Sequence, residues 1–260
     1  MRKTSLPILF LLAVLLTGIA CSALAAEATE IQGYSKTAGY QYVTFGTYPT
    51  EEDGTTRPIL WRVLQSADAE AYLMTEYILF ASPVHADYLH YKGWESSDLY
   101  AILNGEFMQE AFTAAEQQVL LQRTEDNALV TLAHIEDMRN PAYGFSTNAD
   151  RYHCEGTPWA KREREPKKLT LMCYSPKYQY SPWWSRTVSE SNPLQHRDTK
   201  QDGALGRLSV GNPDVGVRPV VYVDLAKLSI AGGSGSMSDP WHLQPIADAQ
   251  SAESVPQTEN

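Results

Sequence analysis

The chain has 260 residues, 31 acidic and 21 basic, for a formal net charge of −10. An acidic chain with no basic stripe is a poor partner for nucleic acid or anionic membrane surfaces, which argues against both classes. Hydrophobic residues make up 43% of it, enough to bury a core, and its 15 Tyr and 6 Trp suit β-rich cores, interfaces and sugar platforms.

Arg2 and Lys3 precede an apolar run over residues 6–20, and Ala23-Leu24-Ala25 supplies the small residues of a cut before Ala26. That is the three-part pattern of a secretory signal, so residues 1–25 are expected to be removed and the rest to be secreted or held at the cell surface. A bilayer span needs about 20 apolar residues, more than this run offers, and no transmembrane span is expected after cleavage. Gly18-Ile19-Ala20-Cys21 partly resembles a lipobox, and a lipid on Cys21 would anchor the protein instead.

Residues 26–39 are polar without periodicity and read as a linker, residues 40–243 as one globular domain, and residues 244–260 as a disordered tail. Within the domain, Tyr40, Tyr42 and Phe45 alternate toward Pro49, and Asp53-Gly54 marks a hairpin turn. Ile59 to Leu64 and Ala71 to Thr75 follow as strands, so the first three form a meander. Ser96 or Ser97 caps a helix carrying Leu99, Ile102, Leu103 and Phe107 on one face. Thr113-Ala114-Ala115-Glu116 is a capping box opening a second short helix, with Val119 and Leu120 on its buried side. A short strand at residues 129–132 and a helical turn before Pro141 come next.

Residues 141–182 are rich in Tyr, Pro and charge and read as long loops with one short helix near residues 157–161. The mixed-sign run at residues 161–168 reads as a solvated loop. Strands are expected at residues 183–187, 205–210 and 215–225, then a Gly/Ser turn at residues 232–239 and a last strand at Trp241-His242-Leu243. The fold class is therefore α+β: a mainly antiparallel sheet with two short helices and long loops.

Catalytic signatures of the nucleophile-elbow, P-loop, zinc-protease and dinucleotide kinds do not occur. Of the six histidines, His85 and His90 alone approach metal-ligand spacing, and in a loop; neither a metal nor a cofactor is expected. Cys154 and Cys173 are the cysteines left after cleavage. An oxidising compartment favours a disulfide between them, worth on the order of 3 kcal/mol, with two buried thiols as the alternative.

The remaining motifs form an ordered set. Val43-Thr44-Phe45-Gly46-Thr47-Tyr48-Pro49 and Pro58-Ile59-Leu60-Trp61-Arg62-Val63-Leu64 come first. Residues 94–104, Phe112-Thr113-Ala114-Ala115-Glu116-Gln117 and Cys154-Glu155-Gly156-Thr157-Pro158-Trp159-Ala160-Lys161 follow. Pro182-Trp183-Trp184-Ser185-Arg186-Thr187 and Val215-Gly216-Val217-Arg218-Pro219-Val220 close the series. Over residues 40–226 this set resembles the bacterial domain of unknown function 6273, found in exported proteins. The double-Trp and Gly-Val-Arg-Pro strands also look like parts of a C-type-lectin-like fold, which would imply a central antiparallel sheet and a long ligand-bearing loop region. No calcium-dependent sugar motif accompanies them, and a fold brings no activity by itself.

Adjacent on a strand, Trp183 and Trp184 point to opposite faces, one into the core and the other toward a surface cleft. Arg218, inside an apolar strand, reads as a buried anchor for loop carbonyls. Tyr174, Tyr178 and Tyr180, with Trp183 and Arg186, are the candidate ligand contacts, because aromatic loops bracketed by rigid strands make binding surfaces. The expected function is a non-catalytic extracellular or cell-surface binding domain for a glycan or protein. An envelope enzyme with catalytic residues gathered from distant loops, and a structural envelope module, are the alternatives.

Overall fold

A computed structural model describes residues 31–152, 154–162 and 180–246. The expected signal and most of the expected tail lie outside these residues, as do Cys173, Tyr174 and Tyr178.

The meander forms as the alternation predicts. Strand β1 (Tyr42–Pro49) pairs antiparallel with β2 (Thr56–Ala67), and β2 with β3 (Glu70–Thr75). Asp53 Oδ1 accepts from the Thr55 backbone N–H at 2.9 Å and fixes the first turn. The second turn is tighter: Asp68 and Ala69 both take left-handed conformations, φ 53° and 60°. A bulge interrupts β1 at Gly46, where φ is 67°. A Cβ there would lie 2.7 Å from the Ala111 carbonyl and the Phe112 ring, so this contact between strand and helix requires glycine.

β4 (Phe80–Ala81) belongs to a second sheet. The helical region runs from α1 (Asp98–Ile102) through a π turn (Leu103–Phe107) into α2 (Met108–Ala111). Ser97 caps it, its hydroxyl accepting from the Tyr100 N–H at 3.1 Å. Leu99, Leu103, Phe107 and Ala111 are buried at a spacing of four, the spacing that the π turn keeps in line. The capping box forms at α3 (Ala114–Gln117), with both reciprocal bonds between Thr113 and Glu116 present. Strands β5 (Leu120–Leu121) and β6 (Val130–Leu132) follow, then short helices α4 (Asn148–Tyr152) and α5 (Pro158–Lys161).

The second sheet is completed by β7 (Trp183–Ser189), β8 (Asn192–Thr199), β9 (Leu205–Ser209) and β10 (Gly216–Val217), in the order β4-β10-β7-β8-β9. The strong apolar strand expected at residues 215–225 is split at Arg218. β10 lies in the second sheet, whereas β11 (Pro219–Asp224) lies in the first, between β3 and β5. Strands β12 (Leu228–Ile230) and β13 (Trp241–Pro245) then close the first sheet, β13 running parallel to β1. The architecture is α+β with mostly antiparallel pairing.

Alternation along β11 divides the core. Val221 and Val223 join a cluster with Phe45, Trp61, Leu103, Phe107 and Trp184, while Val220 faces Leu64, Met74, Ile78, Phe145 and Trp183. Both tryptophans of β7 are therefore buried, at 1% and 0% exposure, and neither faces a surface cleft: apolar clusters cover both faces of that strand. Residues 31–39, expected to be part of the linker, pack on β2. Ile31 is buried and the Tyr34 N–H donates to the Leu64 carbonyl at 3.2 Å. Among the described residues no helix is long and apolar enough to cross a membrane.

Candidate functional site

Two chain segments pass side by side from the first sheet to the second: residues 75–80 leave β3, and residues 217–219 join β10 to β11. Arg218 ties them together. Its Nε and Nη2 donate to the Thr75 carbonyl at 3.0 and 2.7 Å, and Nη2 reaches the Glu76 carbonyl at 3.2 Å. The guanidinium sits 4.7 Å from the Trp183 ring centre, so Trp183 forms the floor under a buried cation. Arg218 thus fills the anchoring role expected from its place in an apolar strand. Burial lowers its proton affinity, and Cys154 is the next largest influence, raising it.

Beside it, Arg62 of β2 meets Glu76 through two bonds, Nε to Oε2 at 2.6 Å and Nη2 to Oε1 at 2.7 Å. Both side chains are about nine-tenths buried, and the Tyr40 ring lies 4.6 Å from the guanidinium. Burial alone would lower the Arg62 pKa, but the Glu76 carboxylate outweighs burial and raises it. Cys154 lies near this network as a fully buried free thiol whose pKa burial pushes up to about 11. The other half of the expected disulfide, Cys173, is outside the described residues.

Outside this network is a cleft of about 430 Å³. One wall is the β1–β2 hairpin, with Thr50, Glu51 and Arg57; the opposite wall is residues 155–161, with Glu155 and Lys161; Tyr77 stands between them. Ile59, Leu79 and Pro158 supply apolar lining. The rim carries ion pairs, Arg57–Glu51 at 3.3 Å and Lys161–Glu155 at 3.9 Å. Backbone bonds fix the walls: Ile78 N–H to the Glu155 carbonyl at 2.9 Å, Thr157 N–H to the Ile78 carbonyl at 3.0 Å, and Trp159 N–H to the Thr50 carbonyl at 2.9 Å. Thr157 caps α5, its hydroxyl accepting from the Ala160 N–H at 3.1 Å. Tyr77 is half-buried; burial, then the Glu76 and Glu155 carboxylates, raise its phenol pKa, so it stays a neutral donor at physiological pH.

Of the candidate ligand contacts, Tyr180 packs edge-on against Tyr152 with ring centres 4.8 Å apart. Arg186 is largely buried, pairing with Glu125 at 3.4 Å, and Trp183 is in the core. None of the three lines the cleft. Among the described residues, the expected ligand stretch, residues 154–186, reaches the cleft through residues 155–158 and Lys161. His85 and His90 do not converge: His85 faces Asp98 at 3.2 Å and His90 faces Asp87 at 2.7 Å. Among the described residues no cluster of His, Cys, Asp or Glu could hold a metal ion.

Residues 68–225 match the family described as Domain of unknown function (DUF6273). The chain belongs to that family. No curated protein and no solved structure matches it. The DUF6273 match includes Tyr77, Leu79, residues 155–161 and Arg218 but leaves out the hairpin wall at residues 50–60.

Sequence reasoning passed over Tyr77 and the ion pair beneath it. The signal for the pair was present: a single Arg62 within the apolar run Ile59 to Leu64, and a single Glu76 within Leu73 to Phe80. A lone charge in each of two neighbouring strands must find a partner when the strands are buried.

Proposed function

We propose that this DUF6273 chain is a non-catalytic extracellular or cell-surface binding domain, C-type-lectin-like in its arrangement, that takes a glycan in the cleft beside Tyr77. The observation that carries the reading is the cleft itself. A concave site of about 430 Å³ with apolar lining, a half-buried phenol and alternating carboxylate and cationic groups at its rim fits rings bearing many hydroxyls. Carboxylates accept from sugar hydroxyls, Arg57 and Lys161 donate to them, and Tyr77 offers both a ring face and a hydroxyl. A concave site favours sugars over a protein partner, whose interfaces are broader. Export through residues 1–25 would deliver the domain to the glycans of the cell exterior.

The test is a glycan array probed with the chain from Ala26 onward, repeated with Tyr77→Ala and Glu155→Gln. A ligand should appear, and Tyr77→Ala should weaken it by about 2 kcal/mol, roughly thirtyfold, with the unfolding midpoint little changed. Binding that survives both changes would move the site elsewhere, and an array without any hit would remove the glycan reading. Mass spectrometry of protein from the producing cell should give an N-terminus at Ala26; a lipid on Cys21 would make the protein anchored rather than secreted.

A further inference from the structure

On the other side of α5 from the cleft lies a second hollow of about 280 Å³. Its walls are aromatic: Tyr48 from β1, Phe80 from β4, and Trp159 from α5. Tyr48 packs between Phe80 and Phe107, with ring centres at 6.0 and 5.1 Å, and is about nine-tenths buried. Its hydroxyl makes no hydrogen bond within the described residues. Tyr48 lines the hollow together with Glu106, Glu110 and Arg162, and after burial these three are the groups that act on its hydroxyl. Glu106 and Glu110 stand one helical turn apart and are exposed. Neither forms an ion pair among the described residues. Arg162 already lies over the Trp159 ring, so a cation on this aromatic wall is compatible with the packing.

We infer that this hollow binds an ammonium group carried on an aliphatic or sugar stem, with Glu106 and Glu110 meeting the charge and the Tyr48 hydroxyl accepting an N–H. Among the described residues, two carboxylates against one guanidinium leave the hollow with an unmatched negative charge, and the acidic chain around it draws cations toward it. The aromatic walls give the stem an apolar surface and the cation a ring face. A phosphate or carboxylate would meet like charge on two sides. The hollow is separate from the Tyr77 cleft, and the inference stands whether or not that cleft takes a glycan.

The probes are Nα-acetyl-lysine amide and glucosamine, with Nα-acetyl-norleucine amide and glucose as their neutral counterparts. Binding to the chain from Ala26 onward is read from the Trp159 indole N–H resonance at low ionic strength. At least one cationic probe should bind at millimolar concentration with its neutral counterpart silent, and added salt should weaken it. The Glu106→Gln/Glu110→Gln double variant should lose about fivefold or more in affinity, as expected for two charge-assisted contacts. Tyr48→Phe should lose a smaller factor and Tyr77→Ala none. Lysine amide binding alone identifies a protein side chain as the source of the cation, glucosamine alone an amino sugar. The inference is overturned if charged and neutral probes bind alike, if no probe binds, or if the double variant keeps its affinity. Both glutamates are exposed, so an unchanged unfolding midpoint will show that the double variant is folded.

Discussion

Asp198 offers the sharpest test of the structure. It lies on β8, opposite Trp184 of β7 and Gly206 of β9, at 1% exposure, and both carboxyl oxygens lack a hydrogen-bond partner among the described residues. Burial raises its pKa from 3.8 to about 6, with Lys200 and Arg197 pulling weakly the other way. The folded state therefore holds the proton more tightly than the unfolded chain. The stability tied to that proton is fully present below the unfolded pKa of 3.8 and is lost as pH rises through about 6. Roughly two pKa units correspond to about 3 kcal/mol, withheld from the folded state at neutral pH. Asp198→Asn keeps the shape and removes the charge, though its buried amide still costs about 1–3 kcal/mol if unpaired. The quantity to measure is thus the difference between variant and wild type, by urea unfolding at about pH 4 and about pH 7. That difference should shift by about 2–3 kcal/mol in favour of the variant at the higher pH. A difference that is the same at both pH values would mean that the carboxyl is solvated or paired, and would refute the packing of β8 described above.

Other groups give independent checks. His196 is buried, its Nδ1 donating to the Ser185 carbonyl at 3.1 Å and its Nε2 accepting from the Tyr91 hydroxyl, and burial lowers its pKa to about 4. Its sign is opposite to that of Asp198: the stability is present above the unfolded pKa of about 6.5 and is lost as pH falls through about 4, so His196→Gln should remove about 3 kcal/mol of acid sensitivity in the same titration. Arg218→Met leaves the Thr75 and Glu76 carbonyls unpaired and should destabilise by about 3 kcal/mol or more; a loss under about 1 kcal/mol in urea unfolding would show that the crossing does not need its anchor. Cys154 should resist iodoacetamide in the native protein and react in denaturant alone; a requirement for reductant as well would show instead that it is paired. Ala69→Gly should raise the unfolding midpoint, since Ala69 holds a left-handed conformation at a strain of about 1 kcal/mol.

Features set by a few consecutive residues were legible in the sequence. Ser97 and Thr113 cap helices because their hydroxyls reach N–H groups three residues on, and Asp53-Gly54 turns the chain with its own side chain. The Pro158–Lys161 helix and the β11 strand followed from equally local signals. Strand β8 was not legible. Asn192–Thr199 has no apolar alternation; its pairing with both β7 and β9 makes it a strand, and its buried side includes His196 and Asp198. The two-sided burial of Trp183 and Trp184 was equally hidden, because opposite faces follow from adjacency but what covers each face depends on the helices and on the other sheet. The cleft was hidden for the same reason: Glu51, Tyr77 and Glu155 come from three distant segments, brought together by an ion pair and a strand crossing.

The span of the DUF6273 match bears on how this site is built. It begins at residue 68, in the turn between β2 and β3, and ends at residue 225, just past β11. Strand β2 therefore lies outside it, yet β2 separates β1 from β3 and carries Ile59, Trp61 and Val63 into the core. It also supplies Arg62, without which Glu76 would be a buried carboxylate stripped of its hydrogen-bonded counter-ion, at a penalty of about 3–5 kcal/mol. Taken alone, the matched segment would expose β3 as a bare edge with its strongest polar contact unmade. The folding unit thus extends beyond the match, and so does the cleft. One wall, with Glu155 and Lys161, is tied by backbone bonds to Ile78, and Arg218 anchors Thr75 and Glu76 just before Tyr77, all inside the matched span. The other wall, with Glu51 and Arg57, rides on a hairpin turn outside it. Turns of that kind accept changes of length and sequence that buried crossings do not. The hairpin wall is accordingly the part of the cleft that can vary without disturbing the scaffold, and the Trp159 N–H bond to the Thr50 carbonyl, at 2.9 Å, ties the two walls together.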